Sequence, residues 1–145
     1  MLHKLVEFNV PRPDLITIYI LYIRSVLEQS CQVWHSSLSF ENLTDLERVK
    51  TNALKIILKG DYVSYEHALE TVDLECLVER RDKLCLKFAK ACLKNENVKN
   101  TFPLNDIPYH VDTREREAYK VTMARTERLN KSSVPYMQRL LNDNA

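Results

Sequence analysis

The chain has 145 residues, enough for one domain with a real core, and a hydrophobic share of 45% excludes a disordered chain. The net charge of +1 points to no particular partner, so charge can inform only through its distribution. One glycine, Gly60, stands against an average of about 7%. This excludes phosphate loops and dinucleotide folds, whose backbones need several glycines to approach a phosphate, and it argues against strand-rich folds with tight glycine turns.

Residues 1–10 read as a short helix ended by Pro11 and Pro13. Asp14 can cap the next helix, which the spacing of Ile16, Tyr19, Ile20, Ile23, Leu27, Cys31 and Trp34 carries to about Trp34. Leu15, Ile18, Tyr22 and Val26 form a second stripe, so apolar residues cover most of its circumference and predict the central helix of a bundle, with Tyr19, Tyr22 and Trp34 in the core. Ser36, Ser37 and Ser39 mark a turn and a cap. A second long helix follows from Phe40 to Leu58, with Leu43, Leu46, Val49, Ala53, Ile56 and Ile57 inward, closed by Gly60 in the left-handed conformation beside Lys59. Ser64 caps a short helix from Tyr65 to Val72, and a third long helix runs from about Glu75 to Asn95. Residues 96–112, with three asparagines, Pro103 and Pro108, read as an irregular linker. Residues 113–130 are charged and weakly periodic, and Ser133 with Pro135 opens a final short helix to about Leu141. The expectation is an all-α helical bundle of three long helices over residues 1–95, a linker over 96–112, and a loosely structured C-terminal extension over 113–145.

Charge is segregated along the chain. Residues 48–59 hold Arg48, Lys50, Lys55 and Lys59 without an acid, and residues 61–75 hold five acids without Lys or Arg. On the third long helix, Arg80, Lys83, Lys87, Lys90 and Lys94 are spaced three or four apart and fall within an arc of roughly 80°. Leu77, Leu84, Cys85, Phe88, Ala91 and Cys92 occupy the adjoining arc, so one face can dock while a row of cations points out. A phosphate backbone offers regularly spaced anions and suits such a row; a merely solvated basic face is the competing explanation. Arg48, Asn52, Lys55 and Lys59 form a shorter polar row on the preceding helix. Arg81 stands one step off the basic row and is expected to pair with Glu47 or Glu28.

Cys31, Cys76, Cys85 and Cys92 all fall in apolar helical patterns and read as reduced, which with the lack of an apolar run after Met1 suggests an intracellular, non-secreted protein. The apolar run Leu15 to Ile23 is too short for a membrane span of about 20 residues. Cys31 and His35 have a spacing that could offer two zinc ligands or a thiol–imidazole dyad, but a structural zinc site needs four ligands and a dyad needs an orienting partner. No metal, cofactor or catalytic residue is expected. His67 reads as a surface or cap residue.

The run Leu21-Tyr-Ile-Arg-Ser-Val-Leu-Glu, followed by Val33-Trp34-His35-Ser-Ser-Leu, resembles the segment just after the polymerase palm in non-LTR (LINE-like) retrotransposon reverse transcriptases. Asp45-Leu-Glu-Arg-Val, Ala53-Leu-Lys-Ile-Ile, the helix of Glu79-Arg80-Arg81, Lys87-Phe-Ala-Lys and Ser133-Val-Pro-Tyr-Met-Gln-Arg-Leu-Leu-Asn142 continue the resemblance in order. It implies a helical thumb with a C-terminal extension, a module that holds the primer–template duplex. The metal-binding palm aspartates and the endonuclease of the full-length polymerase are absent from this sequence, so the expectation is a non-catalytic, detached piece. Its contacts to RNA or an RNA–DNA duplex would be Arg80, Lys83, Lys87, Lys90 and Lys94, with Lys55 and Lys59 secondary. The alternatives are a helical protein–protein interaction module, docking a palm or another protein on the aromatic helix, and a transposon-derived relic with no cellular function.

Overall fold

The computed structural model describes residues 1–105 and 118–144, so part of the expected linker and of the C-terminal extension lies outside the described residues. The fold is all-α. In chain order the helices are α1 (Leu2–Glu7), α2 (Arg12–Ile18), a π-helical segment (Tyr19–Arg24), α3 (Ser25–Glu28), α4 (Cys31–Trp34), α5 (Phe40–Leu58), α6 (Tyr65–Val72), α7 (Leu77–Leu93), α8 (Glu127–Asn130) and α9 (Ser133–Asp143). Among the described residues the β structure is a single isolated bridge between Leu104 and Tyr119. None of the described helices is long and apolar enough to cross a membrane.

The chain forms two compact units. One comprises Met1–Ser30 and Leu38–Arg80, the other Cys31–Ser37 and Arg81–Ala145, so the units part at Ser30, Ser37 and Arg80. The core of the first unit gathers Leu2, Leu15, Tyr19, Ala53 and Ile57 from α1, α2, the π-helical segment and α5. A second cluster in the same unit joins Leu54 and Leu58 of α5 to Ala68 of α6. The core of the second unit gathers Ala89, Phe102, Met137 and Leu141. There α9 also organises a strand-like segment through its side chains. Asn142 donates to the Tyr119 carbonyl at 3.0 Å and accepts from the Tyr119 N–H at 2.8 Å. Gln138 accepts from Thr122 N–H at 2.8 Å and donates to the Thr101 carbonyl at 2.9 Å.

Local chemistry explains several boundaries. Ser39 accepts from the N–H of Asn42, Ser64 from that of His67 and Thr126 from that of Leu129, each capping its helix. The single glycine closes no helix. Asn9 and Asp73 take the left-handed position after α1 and α6, at φ 56° and 52°, with the following N–H returning to Leu5 and Leu69. After α5 the positive φ falls on Lys59, at φ 48° and ψ −118°, not on Gly60 as the sequence suggests. Asp14 is not the cap of α2: that helix begins at Arg12 behind Pro11, and Asp14 stands in its first turn, where its charge still favours the helix end.

The first long helix does not run unbroken to Trp34. Gln29 leaves helical geometry and Ser30 adopts φ 53°, so that Cys31 and His35 are buried in the second unit. Tertiary burial overrides the continuous periodicity here. Upstream, the π-helical segment shifts the register by a residue, with the result that Tyr19 is fully buried while Leu21, Tyr22 and Val26 are 61%, 65% and 67% exposed. Tyr22 therefore lies outside the core, and Trp34 is only half-buried. Likewise Val49 and Phe88 face solvent, and the positions they were expected to fill belong to Lys50 and to a buried line of Leu77, Arg81, Cys85 and Ala89 at four-residue spacing on α7.

Candidate nucleic-acid interface

Four of the expected contacts converge in the second unit. Lys83, Lys87, Lys90 and Lys94, all exposed, line a surface groove of about 440 Å³ whose remaining lining is Leu86 and Ala91. The first three stand on α7 and Lys94 on the turn that follows it, with its N–H bonded to the Ala91 carbonyl. Helical rise of 1.5 Å per residue spreads the four over about 16 Å. Lys87, Lys90 and Lys94 make no ion pair among the described residues. The groove therefore joins closely spaced positive charge to an apolar floor on which lysine stems can lie.

Arg80 does not continue this row. It belongs to the first unit, where its Nε donates to Glu28 Oε1 at 2.6 Å, and Glu28 also lies 3.8 Å from Arg24. The acid expected to serve Arg81 thus serves Arg80. The other acid considered for Arg81, Glu47, accepts instead from the Leu77 N–H and from the Tyr65 hydroxyl. Arg81 is 0% exposed, and none of its three guanidinium nitrogens has a hydrogen-bond partner among the described residues. Its guanidinium carbon lies 5.8 Å from the centre of the Trp34 ring, a cation–π contact.

Lys55 and Lys59 are exposed in the first unit, where they line a second groove with His3, Val6, Asn52 and Ile56. Arg48, from the same polar row, is paired with Asp45 at 2.9 Å. The lysines of α5 and those of α7 belong to different units, so each group is a surface of its own unit.

Two further polar clusters escaped sequence reasoning. In the second unit, Asp82 Oδ1 lies 2.7 Å from His35 Nε2 and accepts from the Tyr136 hydroxyl, with the His35 and Tyr136 rings edge-to-face at 5.9 Å. Burial pushes the Asp82 carboxyl up, but the hydrogen bonds from His35 and Tyr136 outweigh it and hold the group below the usual carboxylate range. His35 is thereby turned to Asp82. Cys31 and Cys85 are buried nearby in the same unit, and burial raises the Cys85 thiol to about 12, the behaviour of an inert structural cysteine. Among the described residues no three His, Cys, Asp or Glu side chains group as metal ligands would.

In the first unit Lys50 is buried and its ammonium donates to the Glu75 carbonyl. Burial lowers its pKa, opposed by the charge of Glu47. The only advance signal was its place beside apolar positions of α5.

Compared with family models, with curated proteins and with solved structures, the chain matches none.

Proposed function

We propose that the chain is a non-catalytic helical module that holds an RNA or RNA–DNA duplex by its phosphate backbone, as the thumb of a LINE-like reverse transcriptase would. The observation that carries this reading is the groove lined by Lys83, Lys87, Lys90 and Lys94, of which the last three make no ion pair among the described residues. Such a row gives affinity without sequence readout, because phosphates repeat regardless of base. Arg80, engaged by Glu28, contributes charge to the first unit and not a direct contact. The ordered resemblance along the sequence supports the same reading.

The test is fluorescence anisotropy of a labelled RNA–DNA hybrid at several salt concentrations. Four phosphate contacts give a log–log salt slope of about −3.6. A Lys83→Glu, Lys87→Glu, Lys90→Glu variant should lose binding while keeping its helical circular dichroism. A wild-type chain that leaves the hybrid unbound at low salt would overturn the reading.

A second reading, a protein-docking module, is favoured by one observation: Leu21, Tyr22 and Val26 are exposed on the π-helical segment and α3. Salt-insensitive self-association, abolished by Tyr22→Glu, would favour it over the phosphate grip.

A further inference from the structure

A separate groove of about 610 Å³ lies on the first unit, within the usual range for small-ligand sites of about 300–1,000 Å³. Its lining is His3 and Val6 from α1 and Asn52, Lys55, Ile56 and Lys59 from α5 and its end. The four α5 residues recur at three- and four-residue spacing, so they share one face of the helix. No acid is among the six. The carboxylate of Asp61, two residues after Lys59, is engaged by Arg12 at 2.5 Å. The Lys55 ammonium lies 5.4 Å from the Tyr62 ring centre, a contact that restrains its flexible stem.

The carbonyl end of α5 favours cations and accounts for part of this charge. It does not account for the backbone of Lys59. That residue holds φ 48° and ψ −118°, a conformation ordinarily left to glycine, while the glycine next to it has no positive φ. Strain of this kind persists only where the surrounding structure holds it in place, and such positions cluster at ligand-binding sites. Here it brings a cation to the groove, beside Lys55, an amide and two aliphatic walls.

We propose that this groove binds a nucleoside monophosphate, free or as the 5′-phosphorylated end of a strand. Lys55 and Lys59 meet the phosphate. Val6 and Ile56 flank the base, and the Asn52 amide, which donates and accepts, meets its edge. The proposal stands on the first unit alone and does not rest on the lysine groove of α7.

The experiment is an NMR and calorimetric titration of the whole chain with adenosine monophosphate, adenosine and a short 5′-phosphorylated oligonucleotide. Adenosine monophosphate should shift the resonances of His3, Asn52, Lys55 and Lys59, and adenosine should not. Tighter binding of the oligonucleotide than of its 5′-hydroxyl counterpart, which the lysine row of α7 would hold equally well, identifies the strand end as the source; a 5′-phosphate that adds nothing identifies the free nucleotide. Lys55→Gln should weaken binding about tenfold or more, the size of one lost charge-assisted contact. Lys59→Gly should weaken it similarly while raising the melting temperature, because the strain is relieved. A variant with Lys83, Lys87 and Lys90 changed to Gln should bind the nucleotide as wild type does. Absent shifts at these four residues, or binding that survives Lys55→Gln and Lys59→Gly, would overturn the proposal whatever becomes of duplex binding.

Discussion

Glu47 of α5 accepts the backbone N–H of Leu77 through both carboxylate oxygens, at 3.1 and 3.2 Å, and so caps α7 from another helix. The first four N–H groups of a helix have no internal partner, and a carboxylate there also meets the positive end of the dipole. Oε1 accepts from the Tyr65 hydroxyl as well, which ties α6 to the same point. One acid thus fixes the start of the helix whose later turns carry the lysine row.

Glu47→Ala should therefore be costly. It leaves the Leu77 N–H and the half-buried Tyr65 hydroxyl without their acceptor, and bonds to charged groups contribute about 1.5–3 kcal/mol each. A loss of at least about 2 kcal/mol in urea unfolding is expected, and Glu47→Gln should recover part of it. An alanine variant as stable as wild type would show that α7 needs no tertiary cap.

Arg81 should destabilise the fold it is buried in. A buried charge without hydrogen bonds keeps much of its desolvation cost, and the Trp34 ring, at about 0.5–2 kcal/mol, together with the charge of Asp82 returns only part of it. Arg81→Met, similar in length and apolar, is expected to raise stability by about 1 kcal/mol or more. Trp34 is the single tryptophan, so its fluorescence reports the local packing directly. A drop in stability with Met would mean that the guanidinium is satisfied in solution.

Acid should act on the second unit through Asp82. Its folded pKa lies below the unfolded value of 3.8, so its contribution is complete above that value and fades as pH falls through the folded pKa. Between neutral pH and about pH 5 the contribution is constant; below that, wild type should lose stability more steeply than Asp82→Asn. Tyr136→Phe removes one of the bonds that hold the carboxyl down, and should move the fall to higher pH. Parallel melting-temperature profiles for wild type and Asp82→Asn would remove Asp82 from the account.

The legible features are those set within one or two helical turns. The bounds of α5, the serine caps at Ser39 and Ser64, and the spacing of Lys83, Lys87, Lys90 and Lys94 all follow from local periodicity and capping chemistry. What could not be read depends on partners far along the chain. Arg80 meets an acid 52 residues away and His35 an acid 47 away, and nothing in either one's neighbours announces it. Lys50 lies in the core because the Glu75 carbonyl, 25 residues on, receives its ammonium. The break at Ser30 has no glycine or proline to mark it, and it exists because Cys31 and His35 are buried in the second unit. His3 reaches the groove of Lys55 and Lys59 only through the packing of α1 on α5, which periodicity does not specify.

The lysine row carries a stability signature that a passive solvated face shares only in part. Like charges three or four residues apart on a helix repel by about 0.2–0.5 kcal/mol per pair, and the groove holds three such neighbours in series. Replacing Lys87 and Lys90 by Gln removes all three, and Gln has nearly the helix propensity of Lys, so charge is the variable that changes. At low salt the double variant should melt above wild type, and the gap should close at high salt as screening removes the repulsion. Repulsion alone predicts that much for any basic face. The phosphate grip predicts in addition that the hybrid raises the melting temperature of wild type and not of the variant, because a ligand that binds only the folded state stabilises it. If the hybrid leaves both melting temperatures unchanged at low salt, the row is a solvated face and the exposed Leu21, Tyr22 and Val26 become the stronger lead.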